Sequence, residues 1–312
     1  MPLFTKSLIE GKVPPWGRRF VIRGFFVESF RQSKLKKVKT YFIESVKTAM
    51  KKDSFKILAL GDIVSPGAVD ALSERLWPFR KEHEIDCVIA NGENACVGNG
   101  LDPATAKRIL SAGVDVITTG NHIWKKKEMH RWLDEEHPVL RPANYHVTAP
   151  GEGYKIFKID GYSILVINIL GVIYMDPLEN PIRCISRILD YYKGKYDFAV
   201  LDIHAEATSE KIAIGRCFDS RISVVFGTHT HVQTADECVL PGGTGYITDL
   251  GMCGPDDSVL GVRADKIIEK LSTSMPVRFE FAGGHVTLHG AVFDIDTGNS
   301  FRVRNVERIA IG

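Results

Sequence analysis

Five apolar runs in this 312-residue chain end in side chains that can hold a metal ion. Lys56-Ile57-Leu58-Ala59-Leu60-Gly61 ends in Asp62, and Cys87-Val88-Ile89-Ala90 leads into Asn91-Gly92-Glu93-Asn94. Asp115-Val116-Ile117-Thr118-Thr119 leads into Gly120-Asn121-His122, and Phe198-Ala199-Val200-Leu201-Asp202-Ile203 ends in His204, with Glu206 close behind. Ile222-Ser223-Val224-Val225-Phe226 runs into Gly227-Thr228-His229-Thr230-His231. Neutral imidazole is the commonest metal ligand among side chains. Side chains alternate along a strand, so histidines at i and i+2 are expected to leave it on one side. A lone pair of this kind is weak evidence; five such ends converging would be strong.

Carboxylate, imidazole and amide-carbonyl donors together suit Mn, Fe or Zn, and the lack of thiolates argues against a structural zinc site. Asp62, Glu93, Asn94, Asn121, His204, His229 and His231 are more ligands than one tetrahedral ion uses. They suit two ions sharing a bridging carboxylate, roughly 3.5–4 Å apart. Each residue also has a bland reading. Asp62 could cap a turn, Asn121 could sit in a left-handed turn, and His204 could be a satisfied core histidine. Glu206 reads better as a group that orients a ligand histidine than as a ligand. No phosphate-binding G-x-x-x-x-G-K-[ST] loop, G-x-S-x-G elbow or G-x-G-x-x-G after a first strand competes with the metal reading.

The elements that would carry these residues alternate. Helical spacing covers residues 70–83, a helix starts at Pro103 behind the cap Asp102 and closes at Gly113, and another is expected over about 124–136. Three strand–helix units imply a parallel sheet with helices over it. Residues 154–160 and 162–169 around Gly161 read as a hairpin, 181–192 and 264–271 as helices, and 245–249 as a strand. Residues 277–281, 286–293 and 301–306 read as an antiparallel set. The sum is an α/β, two-sheet αββα sandwich. In open sheets of this kind functional groups collect beyond the carboxyl ends of strands.

Composition is ordinary for a globular chain: 44% hydrophobic, 25% charged, Gly 28 and Pro 14. Its six cysteines show no C-x-x-C spacing, and the start lacks a signal-peptide pattern, so a reduced, cytoplasmic setting is expected. No apolar run is long enough for a membrane span. The net charge of +2 hides an asymmetry, since residues 1–52 hold 13 Lys and Arg against 3 Glu. Residues 1–54 are therefore read as a basic N-terminal extension, poorly ordered or a mis-assigned start, and 55–312 as the domain. A homo-oligomer is a prior expectation only.

The order Asp, Glu-Asn, Gly-Asn-His, His, G-T-H-T-H resembles the calcineurin-like metallophosphoesterases. Leu140-Arg141-Pro142-Ala143-Asn144, His204-Ala205-Glu206-Ala207-Thr208-Ser209-Glu210-Lys211 and Gly227-Thr228-His229-Thr230-His231-Val232-Gln233-Thr234-Ala235-Asp236 are closer still to the YmdB family of 2',3'-cyclic-nucleotide 2'-phosphodiesterases. The resemblance implies one ion on Asp62, Glu93, Asn94 and His231 and a second on Glu93, Asn121, His204 and His229. It implies iron or manganese, with zinc an alternative, and His122 as the general acid. The implied substrate is a 2',3'-cyclic nucleotide or an RNA-derived ester opened to the 3'-phosphate, with Arg141 and Asn144 as candidate phosphate or ribose contacts. The chain departs from the family in having Ser65 where the first loop usually has glycine, and Ile123-Trp124-Lys125 after His122, which adds positive charge. The alternatives are a metal-binding regulatory protein that acts through a partner, and a phosphatase of another substrate class.

Overall fold

The first strand shows how this sequence makes layers. In β1 (Ser54–Val64), Phe55, Ile57 and Ala59 point to one face and Leu58 and Leu60 to the other, and all five are buried. A strand apolar on both faces must be covered on both. The computed structural model describes residues 52–312, and nearly all of the expected basic extension lies outside the described residues.

After β1 come α1 (Pro66–Glu82), β2 (Cys87–Asn94), α2 (Pro103–Ser111), β3 (Val116–Thr118), α3 (Lys127–Trp132) and β4 (Val139–Leu140). Then follow β5 (Tyr154–Ile159), β6 (Tyr162–Leu170), α4 (Pro181–Tyr191), β7 (Phe198–His204), α5 (Thr208–Cys217) and β8 (Val224–Thr228). The chain ends with β9 (Cys238–Val239), β10 (Gly245–Ile247), β11 (Met252–Pro255), α6 (Ala264–Thr273), β12 (Val286–Asp296) and β13 (Arg302–Ile311).

One sheet has the order β13-β12-β11-β1-β2-β3-β4 and the other β5-β6-β7-β8-β10-β9. Phe55, Ile57, Ile89 and Phe293 of the first interdigitate with Ile164, Val166, Val200 and Phe226 of the second. On the outer face of the first sheet, α1 to α3 bury Leu72, Leu76, Ile109 and Met129; on that of the second, α4 and α5 bury Ile185, Ile188 and Ile214. Each such side chain contributes roughly 1.5–3 kcal/mol when fully buried. This is the two-sheet α/β sandwich with helices outside. Among the described residues no helix is long and apolar enough to cross a membrane.

Several local expectations change. Helix α1 begins at Pro66, four residues early, because Ser65 caps it and proline suits its first position. The helix expected over 124–136 is a 3-10 turn (Ile123–Lys125) and the short α3, separated by extended Lys126. The hairpin between β5 and β6 is present, turning through Asp160 (φ 46) and Gly161 (φ 84), the two positive φ values of a type I′ turn. Helix α5 carries no apolar period in the sequence, because its buried face includes Glu210 and Lys211 beside Ile214. Strand β11, which holds Gly254 and Pro255, gives no strand signal either. Residues 277–281 form no strand; Phe281 makes a single bridge to Val262.

Candidate metal centre

The carboxyl ends of β1, β2, β3, β7 and β8 meet at one rim. The register of β1 against β2 slips on either side of Asp62, an irregularity that re-aims a side chain. A Cβ at the preceding Gly61 would lie 2.0 Å from the Gly251 carbonyl oxygen, so only glycine lets the chain through. The Asp62 carboxylate is fully buried; Oδ2 accepts the His229 backbone N–H at 2.9 Å, and Oδ1 has no hydrogen-bond partner. His231 Nε2 lies 3.7 Å from that orphan oxygen.

Glu93, also fully buried, occupies the middle. Its Oε1 is 3.0 Å from His204 Nε2 and 3.4 Å from His122 Nδ1, and its Oε2 accepts the His122 backbone N–H at 2.9 Å. His204 Nε2 further faces Asn121 Oδ1 at 3.2 Å and His229 Nδ1 at 3.1 Å. One N–H can serve only one of these three acceptors, whereas a cation would satisfy all of them. Glu93, His204 and His229 offer ligand atoms within 4.8 Å of one another. A Cβ at Gly120 would fall 2.3 Å from the His204 ring and 2.4 Å from Glu93 Oε2, so the Gly-Asn-His turn needs its glycine.

The three histidines are set by what their outer nitrogens do. His204 Nδ1 lies 2.9 Å from Thr228 Oγ1, whose hydroxyl donates to Asp202 Oδ1 at 2.7 Å. His231 Nδ1–H donates to the Leu260 carbonyl at 3.2 Å, and His229 Nε2 lies 3.0 Å from Glu206 Oε2. In His204 and His231 the remaining nitrogen is turned to the carboxylates, and in His229 it is turned to His204 Nε2 beside Glu93, the arrangement that fixes the tautomer of metal-binding histidines. Glu206 thus faces the outer nitrogen of His229.

Electrostatics agree. Burial works against both carboxylates, yet His204 and His122 hold Glu93 well below the ordinary carboxylate value, and His231 and His204 hold Asp62 below it. Burial depresses the His204 ring too, but the adjacent Glu93 carboxylate outweighs it and lifts the ring to about 9. Burial and the charge of His204 push His229 down to about 4. Burial also lifts Asp202 to about 6.

One expectation needs correction. His229 and His231 do not leave a strand side by side: β8 ends at Thr228, and they have φ of 98° and 64°. That backbone costs energy, and the turn is held by Asp249, whose Oδ2 accepts Thr230 N–H at 3.2 Å and Thr230 Oγ1–H at 2.8 Å. Asn94 turns its amide nitrogen to Glu93 Oε1 (3.3 Å) and His231 Nε2 (3.2 Å) and its oxygen to His122 Nδ1 (3.1 Å). An amide nitrogen is not a metal donor, so ligation by Asn94 needs that amide flipped. Arg141 and Asn144 are buried and spent on backbone. Arg141 donates to the carbonyls of Pro142, Ala149 and Pro150, and Asn144 brackets Leu170 and reaches Glu179 O. Both line a cavity of about 700 Å³, and the backbone bonds they make hold its loops together.

Sequence reasoning misses the support beneath the centre. Asn91 Nδ2 lies 3.3 Å from both Asp202 Oδ2 and His204 Nδ1, and Lys211, fully buried, pairs with Asp249 at 2.6 Å. One signal is available: Asp202 sits inside an apolar run two residues before His204, hence on the same face of β7.

A YmdB-like protein family model matches residues 58–309. The chain belongs to the YmdB-like family. A Bacillus subtilis relative, 2',3'-cyclic-nucleotide 2'-phosphodiesterase, is 41% identical over 82% of this chain and 97% of its own. The crystal structure of a novel phosphatase from Mycoplasma pneumoniae superposes with a TM-score of 0.78 at 32% identity, covering 84% of this chain and 94% of that one. A hypothetical protein from Thermus thermophilus gives 0.77 at 36% identity, covering 82% and 99%. YmdB-like membership agrees with the two-sheet sandwich of calcineurin-like metallophosphoesterases.

Proposed function

We propose that this protein is a metal-dependent phosphodiesterase that opens 2',3'-cyclic nucleotides to 3'-nucleotides. The observation that carries the reading is the inward set of the three histidine nitrogens against two fully buried carboxylates, one of them with an orphan oxygen. The donor set fits two cations, iron or manganese with zinc as the alternative. Asp62, Glu93, His231 and a flipped Asn94 would hold one, and Glu93, Asn121, His204 and His229 the other. When bound, the cations supply charge for the phosphate oxygens and lower the pKa of water.

The rest falls to the chain's own residues. Hydrolysis forms one P–O bond to water and breaks the bond to the ribose 2'-oxygen, which must leave with a proton. His122 is the residue proposed to deliver it. Its backbone is pinned to Glu93, and its Nδ1 faces inward to the Asn94 side-chain amide and Glu93 Oε1. That leaves Nε2, on a ring 25% exposed, to carry the proton at the rim. Such a step is worth about 10²–10⁴-fold. The substrate class rests on the name of the Bacillus subtilis relative.

Hydrolysis of 2',3'-cyclic AMP by wild-type and His122→Ala protein, with metal content and far-ultraviolet dichroism measured on the same samples, tests this. The expected result is a loss of about 10²–10⁴-fold in kcat at unchanged metal content and fold. A wild-type protein loaded with Mn or Fe that hydrolyses no cyclic nucleotide would overturn the reading.

A further inference from the structure

The excursion between β11 and β12 carries apolar surface that the described residues leave open. Helix α6 has no buried residue, and Ile268, Leu271, Met275 and Phe279 are 60%, 75%, 64% and 45% exposed. Large exposed apolar side chains gathered in one excursion point to an interaction site. After α6, Val277-Arg278-Phe279-Glu280-Phe281 has the alternation of a strand buried on one face. It joins no sheet. Lys270 Nζ sits 4.7 Å over the Phe279 ring, so helix and run form one surface.

One backbone edge of the run is taken: Arg263 N–H donates to Glu280 O at 3.0 Å and Ala282 N–H to Gly261 O at 2.9 Å. Successive residues of an extended chain turn their N–H and C=O to opposite sides. Those of Phe279 and Phe281 therefore point away from residues 261–263, where among the described residues they meet no partner.

We propose that this free edge pairs antiparallel with the same run of a second copy, about a two-fold axis at Phe279, making a homodimer. The run is self-complementary about that residue. In this register Arg278 lies opposite Glu280 of the second copy, Val277 opposite Phe281, and Phe279 opposite its own equivalent. Sliding by two residues keeps the same faces together but sets Arg278 against Arg278, or Glu280 against Glu280, so charge selects the one register. Pro276, which lacks an N–H, and Gly283-Gly284 bound the ladder. The dimer would brace the wall of the metal centre, because the run bridges to Val262, two residues from the Leu260 carbonyl that holds His231. None of this depends on the activity.

Sedimentation equilibrium of the full chain over a concentration series tests the proposal, with hydrogen exchange at Phe279 and Phe281. Wild type is expected as a dimer with both amides protected. Arg278→Glu and Glu280→Arg each create like-charge pairs at both ends of the ladder, so each should weaken association at least tenfold and release the amides. The double variant R278E/E280R should restore both, which separates register from folding. A wild-type monomer at every concentration overturns the proposal, and with protected amides it would mean that another segment of this chain covers the run. A dimer that neither single reversal weakens would place the interface elsewhere and overturn it equally.

Discussion

Replacing Thr228 by valine keeps the shape of the side chain and removes one hydroxyl from beneath the centre. That hydroxyl donates to Asp202 Oδ1 at 2.7 Å and faces His204 Nδ1 at 2.9 Å, in a place where all three residues are fully buried. Without it, the group left facing His204 Nδ1 is the amide N–H of Asn91 at 3.3 Å, which is a donor. A metal on Nε2, the atom 3.0 Å from Glu93 Oε1, leaves the ring's remaining proton on Nδ1, and the variant gives that N–H no hydroxyl to donate to. Disturbing such outer partners typically costs about 10–100-fold in metal affinity, or about 1.4–2.7 kcal/mol. Loss of this donor to the buried Asp202 carboxylate costs the fold a further ~1–3 kcal/mol. Titration of Mn against a competing chelator, with urea unfolding of the metal-free protein, measures the two effects separately. Thr228→Ser, which keeps the hydroxyl, should restore both. If Thr228→Val binds Mn within twofold of wild type, the hydroxyl does not set His204 and the reasoning fails.

Ser65 has φ 88° and ψ 157°, a region that suits glycine, while its Oγ caps α1 through a long 3.4 Å bond. Relief of about 1–3 kcal/mol of strain exceeds the few tenths lost with the cap and about 0.4–1 of chain entropy, so Ser65→Gly should raise Tm by a few degrees and Ser65→Ala should lower it. Lys211→Met leaves the buried Asp249 without its counter-charge and should cost about 3–5 kcal/mol in chemical unfolding; a loss under about 1 would show that the pair does not hold the turn. Asp102→Ala removes the α2 cap, a 2.7 Å bond from Thr105 N–H, and should cost about 1 kcal/mol at neutral pH. Burial raises the Asp102 carboxyl, but that bond and its neighbours outweigh burial and lower it. Its contribution is therefore complete above the ordinary value of 3.8 and fades as pH falls through the lowered folded value, so acid titration should close the gap between variant and wild type.

How much was legible follows from whether a feature is local. A buried parallel strand declares itself as an apolar run, and a ligand at its end stands out because it breaks that run. Asp62, Glu93, Asn121, His204 and the His229–His231 pair were visible for that reason, and so were the layers. Helix α5 was not, because what faces inward is Glu210 and Lys211, whose partners lie on Val172, Ile173 and Asp249, far along the chain. Residues 277–281 failed the opposite way: the strand pattern is present, but the described residues supply no second strand.

By itself, then, the amino-acid order determined the fold class, the strand ends and the kinds of donor the rim would carry. Only the tertiary structure decided which nitrogen of each histidine faces the carboxylates, that His229 and His231 sit on left-handed backbone, and that Arg141 and Asn144 hold loops. Donor chemistry belongs to a residue and travels with its letter. Orientation, protonation and strain belong to pairs such as His204 with Thr228 or Thr230 with Asp249, and those exist only once the sheets bring distant segments together.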